Sequence, residues 1–157
     1  MRFNIKVIAN LLGIILLING GFMALCVPVS LYYKESDWVS ILIASLITIA
    51  SGFLLRLVKR KQDSKELKKK DGYIVVTAGW VVLSLFGALP YIISGVIPSF
   101  GNAFFETMSG YTTTGASILT QIEIVPKGIL FWRSLTQWIG GMGMIVLALA
   151  ILPFLGI

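Results

Sequence analysis

The sequence predicts an all-α integral membrane protein in which two N-terminal transmembrane helices precede one span–pore-loop–span unit. Apolar residues make up 57% of the 157 residues and charged residues only 13%, with a mean hydropathy of +0.90, which excludes an ordinary soluble domain. Four uncharged runs are each long enough for the helix of about 20 residues that crosses a bilayer. The segment between the last two runs has the residue pattern of a loop that enters the membrane and returns.

The first two uncharged runs cover residues 7–33 and 38–55. The first run follows Arg2 and Lys6, as the apolar part of a signal peptide would. It is much longer than that part usually is, however, and no small-residue cleavage site precedes Tyr33. We therefore predict that region 1–71 contains two retained transmembrane helices followed by a basic loop.

The third and fourth runs cover residues 72–105 and 134–157. The third is too long for one helix, and Pro98, Gly101 and Asn102 divide it into a span and a shorter helix. We predict that region 72–157 forms one unit of span, pore helix, extended segment and span. The whole chain then has four spans and one re-entrant segment.

The re-entrant segment is the pore loop, residues 102–117, with the sequence NAFFETMSGYTTTGAS. Asn102 is a candidate N-cap, and a helix over 103–111 would reach only about half of a ~30 Å hydrocarbon core. The β-branched residues from Thr112 and the glycine at 115 favour extended backbone after it. Because non-helical backbone at membrane depth must be buried in protein or line a water-filled cavity, this pattern predicts a pore loop. Successive carbonyls of such a segment can replace the hydration shell of a cation.

The charged residues predict the orientation. The loop 56–71 carries eight lysines and arginines against three acids, so the positive-inside rule places it in the cytoplasm together with the N-terminus. The turn 34–37 then lies outside, and the pore loop enters from the outside. We expect a multi-pass protein of the cell (inner) membrane.

The basic loop 56–71 has two interpretations. It could be a docking surface for a cytosolic partner or for anionic lipids, or it could be a topology signal whose charges are simply solvated. The second is favoured, since positive-inside bias alone accounts for such a cluster. Nucleic-acid binding is a poor explanation for the net charge of +6, because so much of it lies in one loop beside the membrane.

The last span carries Gly140, Gly141 and Gly143, which leave one side of the helix almost without side-chain volume. One interpretation is close helix packing through small residues. The other is a hinge or pore-lining segment that leaves room for an ion path below the pore loop.

Two charges lie near the pore loop, Glu106 in the pore helix and Arg133 at the start of the last span. A charge at membrane depth usually faces the protein interior and finds a partner, so we predict an ion pair that supports the pore. The alternative is that each charge is solvated separately at the interface.

Enzyme chemistry is the weakest class for this chain. Cys26 is the only cysteine and there is no histidine, which excludes an internal disulfide and a Cys/His metal site. The few acids are not grouped as a catalytic pair, and no nucleophile–base arrangement can be built. We predict no enzyme activity and no cofactor.

Two segments together carry a family resemblance: FETMSGYTTTGAS at 105–117 and, fifteen residues later, WRSLTQWIGGMGM at 132–144. Their order, spacing and placement resemble the Trk/Ktr/HKT superfamily of potassium transporters. In that family a subunit contains four consecutive span–pore-loop–span units around one pore, and region 72–157 matches the first. The two preceding spans resemble the additional N-terminal pair of the H-type subunits of the Trk branch.

The resemblance implies uptake of potassium, as the transported ion, through a filter of backbone carbonyls. Gly115 falls at the position of a filter glycine, and Thr113, Thr114 and Ala116 would offer the neighbouring carbonyls. The implied partners are three further pore units, a second copy in a homodimer and a cytosolic nucleotide-binding regulatory subunit.

The chain covers only about the first third of the family's usual length. One unit supplies a quarter of a ring of carbonyls and cannot close a pore, so the chain is either a fragment or one of several assembled copies. Its end in or just past the last span leads us to expect a fragment. The alternative function is a non-conducting membrane module that assembles with, or anchors, other subunits.

Overall fold

The computed structural model of the protein describes residues 5–57 and 69–151, and side chains for 5–57, 72–143 and 145. All regular secondary structure in these ranges is helical, as predicted, because a chain in lipid must pair its backbone groups within each segment. The helices are α1 (Ile5–Ala24), α2 (Cys26–Tyr32), α3 (Trp38–Leu57), α4 (Lys69–Gly87), α5 (Leu89–Ile93), α6 (Phe100–Tyr111) and α7 (Lys127–Ile151), with a 3₁₀ turn at Ile122–Ile124 before α7.

Three stretches are long and apolar enough to cross a membrane: Ile5–Tyr32, Trp38–Leu57 and Gly72–Ile93. The first and third are each broken by one turn residue, Leu25 and Ala88, just ahead of a proline that cannot donate the next helical hydrogen bond. The fourth predicted span falls on α7, whose 25 residues measure about 37 Å. The last six residues of the predicted span 134–157, namely 152–157, lie outside the described residues, so this span stays a prediction.

Helices α1 and α3 form a tight antiparallel hairpin. A Cβ atom on Gly13 would lie 2.8 Å from the carbonyl oxygen of Gly52, and one on Gly52 would lie 2.8 Å from that of Gly13. Further along, the Ser45 hydroxyl donates to the Gly20 carbonyl at 2.8 Å. Small residues let the two backbones approach, which is how helices associate when lipid removes the hydrophobic driving force.

The short helix α6 lies between α4 and α7, and its 12 residues measure about 18 Å, as expected for a helix that enters the membrane only partway. The prediction of Asn102 as its N-cap was wrong. The helix begins at Phe100, and the preceding Ser99 has the extended backbone of an N-cap, with φ −76° and ψ 120°. Pro98 disfavours helical backbone in the residue before it, Ile97, so the helix cannot begin earlier in the chain than Pro98.

Helix α7 begins at the same end of the bundle as the turn between α2 and α3. The backbone N–H of Lys127 donates to Glu35 Oε2 at 2.6 Å, and the buried Ser30–Asp37 hydrogen bond lies beside Gly128. At that end the indole N–H of Trp132 donates to the Gly87 carbonyl at 3.0 Å. The start of α7, the end of α4 and the turn 33–37 therefore lie at one end of the bundle. Most of the basic loop 56–71, residues 58–68, lies outside the described residues, as do residues 1–4.

Candidate functional site

Residues 112–117, which we call the extended segment after its predicted conformation, follow the C-terminal end of α6. The prediction of extended backbone was wrong at Thr112 (φ −82°, ψ 1°) and at Thr113 (φ +55°), which form a turn because their N–H groups still bond to the helix. The N–H groups of Thr112, Thr113 and Thr114 donate back to the carbonyls of the last turn of the helix, at 2.9–3.0 Å. Residues 113–117 are exposed. The first three amide groups of the segment are thus committed to the helix.

Glycine at position 115 is required by the backbone. Gly115 has φ +79°, in the left-handed region that side chains disfavour, although a Cβ atom there would meet no described atom within 4 Å. Thr113, with φ +55°, also lies in this region, which is unusual for a β-branched residue. Backbone held in such sparsely populated conformations is concentrated at functional sites.

The four carbonyls assigned to the filter from the sequence are not equivalent. Those of Thr113, Thr114 and Gly115 accept no hydrogen bond from the part of the chain that the structure describes. The carbonyl of Ala116 accepts one from the hydroxyl of Ser109 in α6, at 2.6 Å. The structure therefore offers three successive uncommitted oxygens, while the fourth is held back against the helix.

A buried carboxylate holds the far end of the extended segment. Glu106 is only 2% exposed, and its Oε1 lies 2.7 Å from Arg133 Nε in α7. The Ser117 hydroxyl lies 3.0 and 3.1 Å from the two carboxylate oxygens, and the Ile118 N–H donates to Oε2 at 2.8 Å. The structure thus brings the two predicted charges together. The paired and hydrogen-bonded carboxylate joins α6, α7 and the segment at one point.

The three glycines singled out in the last span, Gly140, Gly141 and Gly143, have three different neighbours. Gly140 is buried, and a Cβ atom on it would overlap the backbone carbonyl of Tyr111 at the end of α6. Gly141 is half-buried, with Thr113 Cγ2 at 3.9 Å from its Cβ position, and Gly143 faces the ring of Trp80 at 3.6 Å. Gly140 is therefore a close-packing position, and Gly141 is the glycine that borders the extended segment.

Sequence reasoning placed Ser109 and Ser117 in the pore loop but missed the hydrogen bonds that they make in this site. Ser109 lies seven residues before Ala116 along the chain, and Ser117 lies eleven after Glu106. Because the chain reverses direction at Tyr111, polar residues on both sides of the reversal come together. A search for polar residues flanking the reversal could have found them.

Backbone oxygens are the ligands that the extended segment offers to an ion. Among residues 5–57 and 69–151, no group of three or more His, Cys, Asp or Glu side chains is placed to hold a metal ion. The C-terminal end of α6, from which the segment starts, carries partial negative charge. The neutral carbonyls and this helix end together suit a weakly held cation.

Comparisons with known proteins agree with this geometry. The TrkH family model, described as cation transport protein, matches residues 39–157. The chain is 39% identical to the Trk system potassium uptake protein TrkH of Halomonas elongata over 155 residues, and to that of Escherichia coli K12 over 153. These matches cover 98% and 97% of this chain but 32% of each relative.

An uncharacterized cation transporter of Methanocaldococcus jannaschii is 38% identical over 95% of this chain. The crystal structure of the potassium transporter TrkH from Vibrio parahaemolyticus matches with a TM-score of 0.89 and 36% identity. That match covers 99% of this chain and 33% of the other. The chain thus spans about a third of the length of these relatives.

Proposed function

The chain belongs to the TrkH family of cation transport proteins, and on this premise we propose that it takes part in potassium uptake across the cell membrane by supplying one quarter of a filter. The family consists of transporters rather than enzymes, and potassium is the transported substrate. The relatives from Halomonas elongata and Escherichia coli are named potassium uptake proteins, which supports potassium as the ion.

The observation that carries the proposal is the row of three uncommitted carbonyls at Thr113, Thr114 and Gly115. A cation loses its hydration shell in a narrow filter, and carbonyl oxygens replace that shell without a full charge. The positive φ of Gly115 gives this part of the segment a backbone conformation that a residue with a side chain disfavours. In this assignment the Ala116 carbonyl shapes the segment through Ser109 and is at most a secondary ligand.

The Glu106–Arg133 pair supports this function by keeping net charge away from the ion path. A single carboxylate beside a filter would hold a cation tightly, whereas conduction requires an ion to bind and also to leave. Arg133 neutralises Glu106, and the carboxylate retains its role as the anchor of Ser117 and Ile118. We assign the pair to pore support for this reason.

One unit leaves most of the coordination sphere of an ion open. The extended segment is exposed, and so are apolar side chains of the neighbouring helices, namely Phe105, Trp138 and Met142. We infer that three further pore units cover this face and complete the ring in the complete protein. A homodimer and a cytosolic nucleotide-binding regulatory subunit are expected from the resemblance alone.

We further propose the division into an N-terminal helix pair with the basic loop, 1–71, and a pore unit, 72–157. The N-terminus and the loop 56–71 lie in the cytoplasm of this multi-pass inner-membrane protein, and the extended segment is entered from outside. The Lys127–Glu35 contact supports this arrangement, since it ties the start of α7 to the turn opposite the basic loop.

The experiment that tests the function is potassium or rubidium uptake by the Gly115→Ser variant, with sodium as competitor. The variant is expressed from the complete reading frame that contains this chain, in cells that lack other potassium-uptake systems. A filter role predicts that discrimination between potassium and sodium falls while the protein stays in the membrane.

A further inference from the structure

A polar side chain in the first apolar span contacts the pore helix. Asn19 lies in α1, within the span Ile5–Tyr32, and is only 2% exposed. Its Oδ1 accepts a hydrogen bond from the hydroxyl of Tyr111 at 2.6 Å. An amide in a membrane span is costly unless it is paired inside the protein, so its place in α1 is explained by this contact with α6.

Tyr111 is held by three helices where α6 ends. Its side chain is fully buried, and a Cβ atom on Gly87 of α4 would lie 3.0 Å from its ring. Its backbone carbonyl lies against Gly140 of α7, and its hydroxyl reaches Asn19 of α1. Packing fixes the plane of the ring. The directional hydrogen bond fixes the position of the Tyr111 hydroxyl relative to α1.

The position of Tyr111 determines where the extended segment starts. Thr112 follows directly, and Thr113 is the first residue with an uncommitted carbonyl. A filter chooses among ions through small differences in the positions of its oxygens, and a functional geometry must be held within about 0.5 Å by its supporting residues. A shift of Tyr111 along its ring axis would move these carbonyls.

We propose that Asn19 is a positioning residue for the filter and acts through Tyr111. The N-terminal helix pair would then take part in ion selectivity as well as in membrane insertion. This inference rests on the proposed function, because it gives Asn19 a role only if the carbonyls of Thr113, Thr114 and Gly115 bind the ion.

The buried amide also allows stability and selectivity to be separated. Asn19 Nδ2 has no hydrogen-bond partner among the described residues, so Asn19→Leu removes one unpaired group and leaves the Tyr111 hydroxyl unpaired. In the double variant Asn19→Leu/Tyr111→Phe both polar groups are gone, and replacing both partners by apolar groups is often neutral for stability. Only the directional contact is then missing.

The experiment measures rubidium uptake with potassium and sodium as competitors, alongside the membrane abundance of each variant, in the complete protein. We expect Tyr111→Phe and the double variant to lose about threefold to tenfold in discrimination of potassium from sodium, the range that an interhelical hydrogen bond in a membrane supports. The double variant should keep near wild-type abundance. A merely structural contact would instead lower abundance and maximal uptake and leave the ratio unchanged.

Ser45→Ala is the matched control. It removes another buried hydrogen bond of α1, from Ser45 to the carbonyl of Gly20, the residue next to Asn19, but that bond joins α1 to α3 and not to α6. We expect unchanged discrimination in this variant. An equal loss in Ser45→Ala would overturn the proposal, because it would show that any loosening of α1 has the same effect.

Gly115→Ser, measured in parallel, separates the two claims. Wild-type discrimination in Tyr111→Phe and the double variant, with a loss in Gly115→Ser, would overturn the role of Asn19 and leave the filter standing. Wild-type discrimination in all of them would overturn the filter and the inference together. If Asn19→Leu fails to insert, Tyr111→Phe decides, since it keeps the buried ring.

Discussion

Glu106 Oε1 lies 2.7 Å from Arg133 Nε, and the same carboxylate accepts a hydrogen bond from the backbone N–H of Ile118. One buried group therefore joins the pore helix, the following span and the end of the extended segment. A charge at this depth costs free energy unless it is fully paired, so the arrangement holds only while all the donors are in place.

Glu106→Gln should destabilise the protein strongly, because it leaves the Arg133 guanidinium without its counter-charge. Breaking a buried pair from one side typically costs about 3–5 kcal/mol. The measurement is the thermal unfolding midpoint of the purified complete protein. Glu123→Gln, in the exposed 3₁₀ turn, is the control and should have little effect. Partial recovery in Glu106→Gln/Arg133→Gln is expected, and an additive loss would contradict direct pairing.

Gly140→Ala should reduce folded protein and uptake much more than Gly141→Ala. A Cβ atom on Gly140 would overlap the Tyr111 carbonyl, whereas one on Gly141 would make ordinary contact with Thr113. Backbone cannot yield as a flexible side chain can, so α6 and α7 would have to separate. Membrane abundance and maximal uptake of the two variants decide the matter. Equal behaviour would show that close packing at Gly140 has no special importance.

Reporter fusions test the topology. A reporter inserted within 60–70 should report the cytoplasm, and one within 34–37 should report the outside. A third at Gln121 should agree with the second, because Glu35 contacts the start of α7 just beyond the extended segment. The reverse pattern for the first two would overturn the orientation, and disagreement between the second and third would contradict the shared end of the bundle.

Thr114→Ala should change ion discrimination less than Gly115→Ser. The hydroxyls of Thr112 and Thr114 are 2.8 Å apart and hydrogen-bonded to each other, so the Thr114 hydroxyl already has a partner. Removing it leaves the backbone carbonyl, the proposed ligand, in place. Competition of sodium with rubidium uptake measures the effect. A larger loss in Thr114→Ala than in Gly115→Ser would assign the ion to side-chain oxygens instead.

Local patterns in the sequence were sufficient for the fold class and for the place of the chain reversal. Uncharged length predicts spans, and the β-branched run before Gly115 marks the end of the short helix. The extended backbone predicted from Thr112 is wrong at Thr112 and Thr113, which form a turn. Arg133 could be matched with Glu106 because so few charges lie near the pore loop. In each case the signal comes from a few residues with strong physical preferences.

Tertiary contacts account for what the sequence could not predict. The Asn19–Tyr111 bond joins residues 92 apart, and nothing local to Asn19 indicates that α6 will lie beside it. The position of Ala116 directly after Gly115 predicts a filter carbonyl, but this carbonyl accepts a hydrogen bond from Ser109. In the sequence Gly140, Gly141 and Gly143 are indistinguishable. Only the structure shows that Gly140 is the one that packs against the backbone of Tyr111.

The most direct test of the filter is the discrimination of potassium from sodium in Gly115→Ser and Gly115→Ala, compared with Gly101→Ala. A Cβ atom meets no described neighbour within 4 Å at either position, but φ is +79° at Gly115 and lies outside the left-handed region at Gly101. Any difference between the Gly115 and Gly101 variants therefore reports the left-handed backbone at Gly115, in which a side chain costs about 1–2 kcal/mol. The account predicts weaker discrimination in both Gly115 variants at equal membrane abundance, and wild-type behaviour in Gly101→Ala. Wild-type affinity and discrimination in the Gly115 variants would show that the extended segment is structural and that the ion is selected elsewhere.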